Sequence, residues 1–325
     1  MLSNKAKPMK RIAFIVNSTI SNKDKKVNEL KNCFTEPIFT YKFFFSEARR
    51  HIETLTKQAI AENFQYIIVV GGDGTVNEGL NGILESVRLS KQNTIQDFDL
   101  TKLANIKFGI LPSGSGNDFA RTIGATKKLD ELKTKILNDS FKLCDIGFAQ
   151  FLNTEKEEDS RFYMNITDVG MGGEIAQRIV DKNNAFNADL FYLKAIFNTL
   201  ISYKNTKAKF TSDQETWEGN IMSYVFANGR FFGSGLGVAP EASIQDGKLN
   251  IIRLGDINVW DYIYHMKDLK QSKLIKHKEV FYSTANKLKI EPLDNKDLMI
   301  DMDGEFVGYA PLKIECIAGV INILQ

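Results

Sequence analysis

Histidine and cysteine are scarce in this chain of 325 residues. His51, His265 and His277 form no HExxH motif and no close pair in the sequence, so histidine-based metal catalysis is poorly supplied. Cys33, Cys144 and Cys316 are widely separated, odd in number and never in a CxxC pair, which argues against a disulfide framework and against a thiolate zinc site. They are expected as buried thiols, and acid–base chemistry falls to carboxylates. Long apolar runs are missing too: the longest, such as 66–70, stop at strand length, so no membrane span is expected. The opening Met1-Leu2-Ser3-Asn4-Lys5 leads into no apolar stretch that would act as a secretion signal, and the expected location is the cytoplasm. Charge of one sign is lacking as well. Lys plus Arg at 42 against Asp plus Glu at 40 gives a net +2, which points to no nucleic-acid partner and leaves any polyanion to be met locally.

What is present suffices for a sizeable core: 43% apolar residues, 23 of them Phe, beside 25% charged ones. The length predicts about two domains of roughly 150 residues each. Over the first part, short apolar runs at 11–16, 39–45, 66–70 and 107–111 alternate with helix-like stretches at 47–63 and about 75–86. That is βαβ grammar, and it predicts an open, largely parallel α/β sheet over 1–140. From 141 the texture changes to β-prone runs bounded by Gly, Asp and Asn, at 141–148, 161–166, 221–228, 248–254, 287–290 and 312–316. This part, 141–325, reads as mainly antiparallel β with helical insertions at 174–203 and 259–275. A cleft between the halves is the default ligand site.

Strand 66–70 runs straight into Gly71-Gly72-Asp73-Gly74-Thr75 and then into a helix start. Glycines let backbone come close to a ligand, and the free N–H groups and positive dipole end of the following helix attract anionic oxygen. Phosphate binding is the reading, with Thr75 a further candidate helix cap. After strand 107–111, Pro112-Ser113-Gly114-Ser115-Gly116-Asn117-Asp118 repeats the design. Two such loops at one sheet edge can grip a polyphosphate from two sides. Neither loop has the lysine of a P-loop, nor the spaced GxGxxG of a dinucleotide fold. Asp73, Asp118 and Asp145 lie in or just after apolar runs, which suggests convergence on Mg²⁺, an ion that keeps several waters and prefers few carboxylates.

Four blocks in this order, GGDGTVNE (71–78), LPSGSGNDFAR (111–121), GSGLGVAPEASIQDGKL (233–249) and DGE (303–305), resemble the diacylglycerol kinase catalytic-domain family of lipid kinases. The resemblance covers nearly the whole chain. It implies a fold like that of NAD kinases and diacylglycerol kinases, with ATP and Mg²⁺ as cofactors. ATP would be held by Gly71, Gly72, Gly74, Thr75, Glu78, Ser113, Gly114, Ser115, Gly116 and Asn117, and its γ-phosphate passed to a lipid hydroxyl. By the same resemblance Asp303 takes the role of general base, with Asp73 as rival, and Glu305 lies on the nucleotide or metal side. A carboxylate suits the task, because phosphoryl transfer is driven by positioning and charge neutralisation and the proton is accepted late.

The chain departs from the family pattern at three places. Ser115 replaces a threonine, which retains the hydroxyl and loses one methyl. The loop after the first strand keeps only Asn17 of an Asn-Pro-x-Ser-Gly motif, leaving that residue as a third phosphate contact. Gln245 precedes Asp246 where bacterial relatives carry a second acidic residue at a structural Mg²⁺, so Asp246 stands alone there.

On the acceptor side, 185–203 is a strongly apolar helical stretch that is either core or a wall of an acyl pocket. Segment 260–278 combines Trp260, Tyr262, Ile263, Tyr264 and Met266 with Lys267, Lys270, Lys273, Lys276 and Lys278, a composition that suits an anionic bilayer surface. The expected activity is phosphorylation of a membrane lipid such as diacylglycerol, giving phosphatidic acid, by a peripherally associated cytoplasmic enzyme; a homodimer is compatible with the sequence. Two alternatives stay open: a soluble-substrate kinase of the NAD kinase-like group, which shares the GGDG turn, and a non-catalytic nucleotide- or lipid-sensing homologue.

Overall fold

The computed structural model describes residues 9–180, 198–199 and 201–325. Two compact units divide the chain. One runs to Ser90, resumes over Phe98–Cys144 and regains Val320–Gln325; the other holds Lys91–Asp97 and Asp145–Gly319.

The first unit contains β1 (Lys10–Val16), α1 (Lys23–Cys33), β2 (Phe39–Phe45), α2 (His51–Ala61), β3 (Tyr66–Gly71), α3 (Asp73–Glu85), β4 (Lys107–Pro112), α4 (Asp118–Thr122) and α5 (Leu129–Leu137). Its strands lie in the order β2-β1-β3-β4, all parallel. β3 is buried along its whole length, as expected of a parallel strand covered on both faces. Ile12, Phe14, Val16, Ile68 and Val70 share one core with Leu30 of α1 and with Leu132 and Ile136 of α5. The intervening residues point the other way, where Val69 lies directly under Gly79 of α3. From β1 the chain steps one way to β2 and the other way to β3. A topological switch point therefore lies between β1 and β3, the place where open α/β sheets bind ligands at their carboxyl edge.

The second unit contains β5 (Phe141–Leu152, its first residues in the first unit), β6 (Glu158–Tyr163), β7 (Ile166–Gly170), α6 (Met171–Val180), β8 (Thr206–Ser212), β9 (Thr216–Ile221), β10 (Ser223–Ala227), β11 (Leu249–Leu254), α7 (Val259–Lys270), β12 (Val280–Ala285), β13 (Lys287–Pro292), β14 (Met299–Met302) and β15 (Glu305–Leu324). The run β12-β11-β10-β7-β14-β15 is antiparallel throughout. The end of β15 pairs parallel with β4 through Asn322 and Ile323, within the first unit. Strict alternation gives the antiparallel run two apolar faces. Tyr224 and Phe226 of β10 join Val169, Ile251 and Ile300 in one core, where the Phe210 and Tyr224 rings stack 4.7 Å apart. Val225 and Ala227 join Ile166, Ile252 and Leu254 in a second core on the opposite face. α7 is launched by a capping box: Asn258 accepts from Trp260 N and Asp261 N while Asp261 accepts from Asn258 N, worth about 1 kcal/mol. Most of the apolar stretch 185–203 lies outside the described residues. Among the described residues no helix is long and apolar enough to cross a membrane.

Candidate functional site

The two glycine turns meet. β3 and β4 are hydrogen-bonded neighbours, with Gly71 opposite Pro112, so the turns that follow them leave the sheet side by side. A Cβ on Gly114 would lie 2.5 Å from Gly72 Cα, and one on Gly72 would lie 3.0 Å from Gly114 Cα. No side chain fits between the turns, and glycine at both positions is a steric requirement. Asn117 holds the second turn closed: its side-chain oxygen accepts from Gly114 N at 3.0 Å and its amide donates to Gly114 O. Asp73 ties the turns together by accepting from Phe119 N at 3.2 Å. Asn17, at the end of β1, donates to Thr75 Oγ at 3.0 Å, bringing the third predicted loop onto the first at the switch point.

Several predicted residues serve other ends. Thr75 does not cap α3, which starts at Asp73 with Gly72 in the capping position and no side-chain cap bond. Glu78 is turned away from the glycine turns toward α2, where its two oxygens accept from Arg50 N and Ile52 N at 3.1 Å. Ser113, Gly74 and Gly116 are half-buried in the turns, and Ser115 is exposed at the tip. A cation that motif reading missed is also present: Lys26 of α1 donates to Ser113 Oγ at 2.7 Å. Burial lowers its pKa, and Lys127 lowers it further. An ammonium in that setting gains from an anionic neighbour.

The expected convergence of Asp73, Asp118 and Asp145 on one ion is not found: no group of three or more His, Cys, Asp or Glu among the described residues is arranged to hold a metal. Asp145 instead accepts from Gly247 N and Gly319 N, both at 2.7 Å, pinning the turn at Gly247 and strand β15 at Gly319. Burial raises its pKa, and nearby Asp246 contributes in the same direction. Asp246 itself is exposed and accepts from Lys248 N within its own turn. These carboxylates do not fit a multidentate Mg²⁺ site.

Asp303 is 5% exposed. Its carboxylate accepts from Met164 N, Asn165 N and Ile166 N, each at 3.0 Å, clamping the turn from β6 into β7. Glu305 is half-buried, and the guanidinium of Arg161 engages it at 2.9 Å.

The second unit holds a further site that no motif announced. Its two antiparallel neighbours β7 and β10 put Asp168 opposite Val225 on the face that carries the second core. There an apolar pocket of about 80 Å³ is walled by Val225, Ile252, Leu254, Leu269, Ile275 and Val280, with His265 and His277 in its lining. Asp168 and Ser223 line it from β7 and β10, and Ser223 Oγ donates to Asp168 at 2.7 Å. Asp301 of β14 pairs directly across from Asp168. Burial pushes the Asp168 carboxyl up to about 7; Asp301 is pushed well above the ordinary carboxylate range, by burial first and by Asp168 second. Two buried acids side by side do not both ionise near neutrality.

Comparison with known proteins decides the family. Residues 11–149 match the diacylglycerol kinase catalytic domain, and residues 167–325 match the YegS C-terminal NAD kinase beta sandwich-like domain. The chain belongs to the diacylglycerol kinase catalytic-domain family. It is 25% identical to the diacylglycerol kinase of Bacillus subtilis (strain 168) over 257 residues, 78% of this chain and 76% of the relative. It is 24% identical to the diacylglycerol kinase of Staphylococcus carnosus (strain TM300) over 270 residues, 83% and 78% of the two chains. A crystal structure of a diacylglycerol kinase from Bacillus anthracis str. Sterne superposes with a TM-score of 0.66 at 19% identity, covering 97% of each chain. Yeast NADH kinase complexed with NADH shares the fold at a TM-score of 0.52 and 9% identity, covering 98% of this chain and 83% of that one. The fold is thus diacylglycerol kinase- and NAD kinase-like, and the lipid kinase family to which the chain belongs implies ATP as substrate together with a divalent metal.

Proposed function

We propose that this protein transfers the γ-phosphate of ATP to the free hydroxyl of a membrane lipid, with diacylglycerol as acceptor and phosphatidic acid as product. The observation that carries the reading is the contact of the two glycine turns at Gly72 and Gly114, with Lys26 beside them. Backbone amides there, together with the dipole end of α3, would hold the phosphates, and Lys26 would neutralise part of their charge. In this reading the domain 1–140 takes the nucleotide and 141–325 the lipid, whose apolar part suits the pocket under Asp168. Asp303 is the proposed proton acceptor: three backbone amides fix its carboxylate in place, and a weak base suffices when the proton moves late. Asp73 is the alternative. We further place the enzyme in the cytoplasm, working at the membrane surface.

The test is transfer of label from ATP to lipid in mixed micelles of diacylglycerol, sphingoid base, ceramide or phosphatidylglycerol, with NAD as a soluble competitor acceptor. Labelled phosphatidic acid, formed from diacylglycerol, is the expected product. Label in NAD alone, or ATP binding without transfer to any lipid, overturns the reading. Asp303→Asn also replaces one of the two oxygens that accept from the three amides, so its loss of transfer counts for the base only beside an unchanged melting curve; Asp73→Asn is the matched control.

A further inference from the structure

α7 is apolar on two sides. Its inward side, Tyr262, His265 and Leu269, lines the pocket beneath it. The residues at i, i+3 and i+4 on its outward side are Trp260, Ile263 and Tyr264, which are 74%, 41% and 79% exposed. A helix that meets only water on that side carries polar residues there. The same outward row continues to Lys267 and is followed by Lys270, Lys273, Lys276 and Lys278, all exposed. Leu274, between two of these lysines, is 38% exposed, while the next residue, Ile275, turns inward as part of the pocket wall.

The nearby acids do not cancel this charge. Asp261 is engaged in the capping box, and Asp268 pairs with His265 Nδ1 at 3.0 Å. None of the five lysines has a carboxylate within ion-pair distance among the described residues. Exposed Trp and Tyr flanked by unpaired lysines match the chemistry of the bilayer interface, where aromatic rings sit at headgroup level and cations face anionic lipid.

We infer that the outward face of α7 and the lysine segment after it form the docking surface for an anionic bilayer, set at the wall of the apolar pocket so that a lipid passes from membrane to pocket along α7. The inference rests on the lipid-acceptor reading for its purpose, but the surface is testable by itself. Docking brings Trp260, Ile263, Tyr264 and Leu274 into the headgroup layer and leaves the pocket-lining side of the same helix inside the protein.

The experiment is co-sedimentation with vesicles of phosphatidylcholine alone or mixed in equal parts with phosphatidylglycerol, together with Trp260 emission in a Trp217→Phe background. We expect binding to the mixed vesicles, a blue shift of Trp260, and about fivefold weaker binding for each Lys→Gln change at 267, 270, 273, 276 or 278. Trp260→Ser combined with Tyr264→Ser weakens binding about tenfold or more, while turnover on lipid in detergent micelles is retained. Unchanged vesicle binding by these variants overturns the inference. So does a change in elution volume on gel filtration with vesicle binding unaffected, which assigns the patch to a second copy of the chain. If the unaltered protein phosphorylates no lipid in micelles, the kinase reading fails, and the vesicle result still decides the docking surface.

Discussion

The two candidate sites are built from opposite materials. In the first unit the site is backbone: two glycine turns, an asparagine that closes one of them, and an aspartate that joins them. In the second unit the site is side chains, contributed by β7, β10, β11, α7 and the loop around Ile275. A backbone site recognises what all nucleotides share, the phosphate chain, and tolerates little change. A side-chain pocket is adjustable residue by residue.

The sharpest way to break the contrast is Gly114→Val. A branched Cβ 2.5 Å from Gly72 Cα forces the turns apart, and transfer from ATP should fall by about 100-fold or more while thermal stability changes little. Steady-state kinetics beside a melting curve checks it; near-normal turnover would mean that the contact of the turns is incidental. Next in size, Lys26→Gln removes the cation beside Ser113 and should raise KM for ATP about tenfold with a smaller change in KM for lipid. An equal effect on both substrates would blur the separation of the two sites.

The smallest effect on catalysis is expected at Asp168, and its signature is pH. Its carboxyl is raised in the folded protein to about 7 from 3.8, so the fold holds a proton that the unfolded chain releases. The stability this contributes is fully present below about pH 4 and is lost as pH rises toward about 7. Asp168→Asn binds no proton, so the stability of the unaltered protein relative to the variant should decline across that window, by an amount on the order of a few kcal/mol. Asp301, opposite it, shares the environment and keeps part of the slope in the variant. Denaturant unfolding of both proteins between pH 4 and 7 measures the difference, and a flat difference would mean that Asp168 is hydrated in the native state.

The first unit was the more legible in sequence. Runs such as 66–70 are apolar because parallel strands are buried on both faces, and a GGDGT after such a run leaves little but a tight strand-to-helix turn. In the second unit, β8, β9, β12 and β14 were not anticipated. β9, Thr216–Ile221, alternates exposed and half-buried residues at an edge, and β14 is four residues long; neither makes an apolar run. Carboxylate roles were the least legible. Asp145, Asp303 and Glu78 sit in motif-like surroundings, yet each spends its oxygens on backbone amides brought from distant segments.

Local chain chemistry determined the glycine turns, the alternation of strand and helix, and the change to antiparallel β after 141, because each depends on a few consecutive residues. Folding in three dimensions decided that Lys26 stands at Ser113, that Asp168 and Asp301 face each other in apolar surroundings, and that α7 lines a pocket with one side while offering Trp260 and Tyr264 to solvent with the other. Those outcomes depend on which strands become neighbours. A carboxylate or an aromatic ring carries no mark of its eventual partner until distant segments pack and water is expelled from between them.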